Sequence, residues 1–100
     1  MAKLIIMYEQ PRDQDGFEAY YFHVHLPLAK KIPNIKQETT QRVIQTQNTD
    51  LNLYLFVELQ FETLESLQQS LATPEAQATV ADLDNLMKYL HHRPIISIVE

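Results

Sequence analysis

Between Leu51 and Phe61 the chain alternates without a break. Leu51, Leu53, Leu55, Val57, Leu59 and Phe61 are separated by Asn52, Tyr54, Phe56, Glu58 and Gln60. Successive side chains of a β-strand point to opposite faces, so this period of two gives one aliphatic face and one mixed aromatic and polar face. Such a strand needs neighbours in a sheet and a layer of other elements over its aliphatic side.

The flanking segments supply both. Lys3–Tyr8 is a compact apolar run ended by Gln10-Pro11-Arg12-Asp13, which reads as a buried strand. Asp15 suits a helix N-cap with Glu18 three residues on, and Phe17, Tyr20, Tyr21, Val24 and Leu28 come after it at helical spacing. Pro27 lacks a backbone donor, so this helix should kink or end near Leu26. Ile35–Thr46, rich in Thr, Gln, Val and Ile, predicts a strand with a wet face, and Asn48-Thr49-Asp50 predicts the turn of a hairpin. Thr63 starts a short helix carrying Leu64, Leu67 and Leu71. Thr73-Pro74-Glu75 combines an N-cap, a proline at the first helical position and an acid in the first turn. The helix it opens carries Val80, Leu83, Met87 and Leu90 on one stripe. Arg93-Pro94 breaks that pattern, and Ile95–Val99 is a last strand.

The order β-α-β-β-α(α)-β predicts an α+β domain of the ferredoxin-like kind, an antiparallel sheet with helices on one face. The other face needs cover, and a second copy of the chain is the simplest source, giving a dimeric α/β barrel. One hundred residues suffice for one such domain over 1–100, with a single modest core. Gly16 is the only glycine, so turns must rest on Asn, Asp and Pro.

Composition excludes several function classes. The net charge is −5 and only Lys30-Lys31 are adjacent cations, so no basic stripe is present for nucleic acid or an anionic membrane. The absence of cysteine removes disulfides, thiolate nucleophiles and zinc–sulfur or iron–sulfur sites. The apolar start is too short for a signal h-region or a membrane span, so a cytoplasmic protein is expected. No glycine-rich phosphate loop or nucleophile elbow occurs.

His25 is the leading candidate for chemistry. On a regular helix it lies about 60–80° from the centre of the Phe17/Tyr21/Val24/Leu28 stripe, at the border of the buried face. There it either exchanges a proton with a ligand or bonds a backbone carbonyl near Pro27. His23 points the other way, and His91 and His92 should face opposite sides of a strand start. A metal site would need two elements to converge and a carboxylate such as Glu58 or Asp82 to join, so no metal is expected. Tyr54, Phe56 and Glu58 share one face of the 51–61 strand. They either pack in a barrel interior and dimer seam or, with Tyr8, wall a pocket for an apolar or aromatic ligand. Glu58 should meet a cation, a hydroxyl or water.

Three stretches go beyond generic pattern. Phe17-Glu18-Ala19-Tyr20-Tyr21-Phe22-His23-Val24-His25-Leu26-Pro27-Leu28, followed by Pro33, resembles the EthD family signature, with its aromatic helix face and His-x-Pro-Leu segment. Phe56–Leu67 is similar to that family's strand-into-helix segment, and Thr73-Pro74-Glu75-Ala76-Gln77 with Asp82-Leu83 to its Ser-Pro-Glu helix start. The turns here lack the glycines common in the family. The resemblance implies a dimeric α/β barrel holding a small hydrophobic or aromatic molecule. Members are linked with ethyl tert-butyl ether degradation beside an oxygenase system. Relatives include dehydratases and decarboxylases, and the wider superfamily contains cofactor-free monooxygenases and lactone isomerases. For this chain it implies cofactor-independent oxygenase, isomerase, dehydratase or decarboxylase chemistry, with His25 as proton donor or acceptor and Tyr21 beside it. The alternative is a non-catalytic dimer that binds a ligand or supports a degradation enzyme.

Overall fold

The computed structural model describes residues 1–100. Four strands, β1 (Ala2–Glu9), β2 (Gln37–Arg42), β3 (Leu53–Phe61) and β4 (Ile95–Val99), form one antiparallel sheet in the order β2-β3-β1-β4. Helices α1 (Gln14–Tyr20), α2 (Leu26–Ala29), α3 (Leu64–Leu71) and α4 (Pro74–Leu86) connect them. The expected ferredoxin-like α+β domain is therefore present. It measures 34 × 30 × 17 Å, and that least dimension accommodates one sheet and one layer of helices. No helix is long and apolar enough to cross a membrane.

The alternating row of β3 does what its period dictates. Leu55, Val57, Leu59 and Phe61 are at most 2% exposed beneath the helices. Phe56 and Glu58 face the other side, opposite Met7 and Ile5 of β1. Leu4 and Tyr8 of β1, Phe17, Tyr21, Leu67 and Leu86 complete the core over the aliphatic row. Burial of such side chains contributes about 1.5–3 kcal/mol each.

Three local departures from simple periodicity matter. First, Tyr8 pairs with Leu55 but Glu9 with Leu53, so β3 carries an extra residue at Tyr54. A bulge of this kind puts neighbouring side chains on the same face. Tyr54 therefore leaves the Phe56/Glu58 face, packs edge-on against Phe17 at 6.1 Å and donates its hydroxyl to Glu18.

Second, the first helix neither ends nor breaks at Pro27. It widens into a π-helical turn over Tyr21–His25 and resumes as α2. The Leu26 N–H bonds the Tyr21 carbonyl, five residues back. Proline lacks the N–H that would reach the His23 carbonyl, and its ring would crowd that carbonyl in a regular helix. The wider turn relieves the conflict. It also changes which side chains face inward: Val24, which helical spacing puts on the core stripe, is 40% exposed, while His25 is 5% exposed.

Third, the N-cap of α1 is Asp13 rather than Asp15, its carboxylate accepting from the Gly16 N–H at 3.1 Å. Thr63 and Thr73 cap α3 and α4 as expected. Strand β2 is shorter than the expected 35–46 segment. The left-handed turn positions fall to Asn34 and Asn48, with φ of 69° and 63°.

Candidate functional site

The π-helical turn and α4 bring together two residues far apart in sequence. His25 Nδ1 lies 3.0 Å from Asp82 Oδ2, both side chains at most 7% exposed. Asp82 is held from two further directions: the Tyr20 hydroxyl donates to its Oδ1 at 2.5 Å and the Asn85 amide at 2.9 Å. Burial pushes the Asp82 carboxyl up, but the hydrogen bonds from Tyr20, Asn85 and His25 outweigh it and hold the group below its usual range. At neutral pH Asp82 is an anion. Burial, the largest influence on His25, lowers its pKa against the upward pull of Asp82. A neutral imidazole with Nδ1–H donated to Asp82 leaves Nε2 as a base.

Nε2 has somewhere to act. Between the helices and the sheet lies a cavity of about 70 Å³, and 13 of its 15 lining residues are hydrophobic. That exceeds the roughly 10–15 Å³ that one water requires, and an apolar cavity of this kind favours apolar ligands. His25, Tyr21 and Tyr8 all line it. Their rings run in sequence, Tyr8 to Tyr21 at 5.6 Å and Tyr21 to His25 at 5.8 Å. Every fully buried side-chain nitrogen or oxygen in the chain has a hydrogen-bond partner. His25 Nε2 has none and is therefore not fully buried, and His25 is one of the residues that line the cavity. Burial raises the Tyr21 hydroxyl to about 12, with the Thr40 hydroxyl beside it pulling the other way and Glu38 adding to the rise. The phenol remains a neutral donor.

The mouth lies between α4 and β4. Strand β4 is an edge strand paired with β1, and Val80 and Ile96, both lining the cavity, are 61% and 49% exposed. Periodicity puts Val80 on the packed stripe of its helix. The face that actually packs carries Ala76, Asp82, Leu83 and Leu86.

The geometry brings together His25, Tyr21 and Tyr8 and separates them from Tyr54, Phe56 and Glu58. None of those three lines the cavity. The bulge takes Tyr54 to Glu18, while Phe56 and Glu58 lie across the sheet. Glu58 meets the cation and hydroxyl it needs, Lys3 at 3.6 Å and Thr39 at 3.4 Å. His23 is exposed, and His91 and His92 lie in the exposed bend before β4 rather than in a strand. Sequence reasoning offers Asp82 only as a possible metal ligand and misses it as the partner of His25. The available signal was a carboxylate one turn before Leu86, on a stripe otherwise apolar.

A ferredoxin-like sheet, one helical layer and a buried His–Asp pair over an apolar cavity define a small α+β protein built around a hydrophobic pocket. The EthD domain matches residues 9–88, and the chain belongs to the EthD family. It is 35% identical to an EthD family protein of Bacillus halodurans whose crystal structure superposes with a TM-score of 0.86, covering 100% of this chain and 97% of that one. It is 29% identical over 85 residues to an uncharacterized 11.0 kDa protein from the thcB-thcC intergenic region of Rhodococcus erythropolis, covering 85% of this chain and 82% of the relative. The fold likeness extends to a dimeric, ferredoxin-like protein of unknown function from Bacteroides fragilis, 18% identical, with a TM-score of 0.60 over 99% of this chain and 94% of that one.

Proposed function

We propose that the protein binds a small hydrophobic or aromatic metabolite in the cavity and transfers a proton on it with His25, without a cofactor. One observation carries this reading: a buried imidazole whose Nδ1 is bound to Asp82 at 3.0 Å, and whose other nitrogen has no partner in the chain, belongs to the lining of an apolar cavity. An oriented, desolvated base of this kind suits isomerisation, dehydration, decarboxylation or oxygenation of an activated carbon acid. Asp82 fixes the tautomer, and Tyr21 supplies a neutral hydroxyl to the bound molecule.

A homodimer belongs to the same proposal. The sheet face away from the helices carries Met7 and Phe56, both only half-buried, with no second layer over them. A second copy packed there would cover them, and the fold likeness from Bacteroides fragilis is itself described as dimeric. Sedimentation equilibrium should give twice the chain mass; a monomer at micromolar concentration contradicts it.

The catalytic test compares wild type with His25→Gln on compounds that bind. Turnover lost with affinity and fold retained supports the base. Tight binding without turnover in wild type identifies a carrier or an accessory protein of a degradation pathway instead.

A further inference from the structure

Tyr8 is a second polar residue of the cavity, and its side chain has no hydrogen bond within the chain. It lies in β1, 1% exposed, and lines the cavity with His25. Its hydroxyl bonds no group of the chain, and no fully buried side-chain oxygen is left unpaired, so the hydroxyl keeps some accessible surface in a residue that lines this cavity. Phenylalanine would fill the same space without the cost of desolvating a hydroxyl. Of the other hydroxyls that line the cavity, Thr79 is already committed to the Glu75 carbonyl at 2.9 Å, and Tyr21 is engaged by Thr40.

Tyr8 rises from the sheet and His25 descends from the helical layer, so they meet a bound molecule from opposite walls. No Lys or Arg lines the cavity, and the Asp82 carboxylate stands directly behind His25. A carboxylate or phosphate would lie there without a counter-charge. The favoured ligand is neutral.

We propose that Tyr8 is a second catalytic residue, donating a hydrogen bond to the carbonyl oxygen of a neutral, apolar, enolisable ketone while His25 Nε2 takes the proton from the adjacent carbon. This rests on the proton-transfer reading above and narrows its substrate class. The C–H bond breaks, its proton goes to Nε2, and its electron pair forms the enolate C=C as negative charge moves to oxygen. The Tyr8 O–H holds that oxygen and the imidazolium pairs with Asp82. Return of the proton to carbon closes the cycle, with no oxidant or reductant. Burial, then Tyr21 and Asp82, raise the Tyr8 pKa far above neutrality, so it donates a hydrogen bond without ionising.

The test monitors hydrogen–deuterium exchange at the carbons flanking the carbonyl of benzylacetone in D2O, by NMR, with saturating probe. Wild type should exceed the buffer rate. Tyr8→Phe, which keeps the ring and the packing, should slow the catalysed exchange about 100- to 1000-fold, the range for losing one oxyanion donor. Its affinity for the ketone should change less than about tenfold. His25→Gln should remove catalysed exchange. Tyr8→Phe exchanging at the wild-type rate, with His25→Gln inactive, overturns the Tyr8 role and leaves the base standing. Catalysed exchange that survives His25→Gln overturns the proton-transfer reading itself. No binding of benzylacetone, or exchange at the buffer rate in wild type, overturns the ketone assignment.

Discussion

His25 and Asp82 stand 57 positions apart in the sequence and 3.0 Å apart in the fold. The pair ties the π-helical turn to α4 as well as orienting the imidazole. Asp82→Ala leaves His25 Nδ1 and the Tyr20 hydroxyl without their acceptor, and each stranded polar group costs about 1–3 kcal/mol. Urea denaturation should show a loss of about 2–3 kcal/mol for Asp82→Ala and about 1 kcal/mol for Tyr20→Phe, which removes one donor while the acceptor keeps others.

Stability should depend on pH in two windows. Burial lowers the His25 pKa below its ordinary 6.5, so between the folded and unfolded values the unfolded chain binds the extra proton. Stability then falls as pH drops through about 6.5. The Asp82 pKa is lowered as well, so its contribution is present above about 4 and is lost as pH falls through its folded value. Thermal melts between pH 8 and 5 should decline for wild type and stay flatter for His25→Gln, to within about a degree if this single site sets the slope.

Nitrogen-detected NMR of the imidazole should find the Nδ1–H tautomer of His25 at neutral pH, the form that donates to Asp82. Asp82→Asn replaces the anion with an amide and should perturb that tautomer preference. A predominant Nε2–H form in wild type contradicts the assignment of Nε2 as base.

Pro27 should be the reason the helix widens. Pro27→Ala restores a backbone donor and removes the ring that crowds the His23 carbonyl. The turn should then relax toward regular α-helix, carrying His25 toward the exposed side now occupied by Val24. Amide exchange at Leu26 and the His25 nitrogen shifts report this; unchanged shifts mean that packing alone holds the π-helical turn.

Gly16 is needed for space, not for backbone freedom, since no glycine has positive φ. A Cβ at this position would stand 2.4 Å from an Asp13 carboxylate oxygen and 2.8 Å from the Tyr89 ring. Gly16→Ala should therefore destabilise by about 1–3 kcal/mol through overpacking, against the gain that alanine normally brings to a helix. A stabilised variant in thermal melts would contradict this.

The elements legible in the sequence are those whose cause is local. The alternation from Leu55 to Phe61 and the Thr73-Pro74 helix start depend on neighbours a few residues away, and both appear where periodicity puts them. His25 and Tyr21 stand out through helical spacing and the His-x-Pro-Leu segment, and both reach the cavity. The features that escape have a non-local cause or a one-residue slip. The extra residue at Tyr54 and the wide turn before Pro27 each shift a register by one, and a single step moves side chains to another face. Asp82 becomes visible as a partner only once α4 lies across the first helix.

The most direct test of the central claim is an NMR titration with an apolar phenol such as propylphenol, read at every backbone amide and at the His25 ring. Shifts should concentrate at Tyr8, Tyr21, His25, Val80 and Ile96, the walls and mouth of the cavity. Shifts centred on Phe56 and Glu58, across the sheet, or none at saturating phenol, would contradict it.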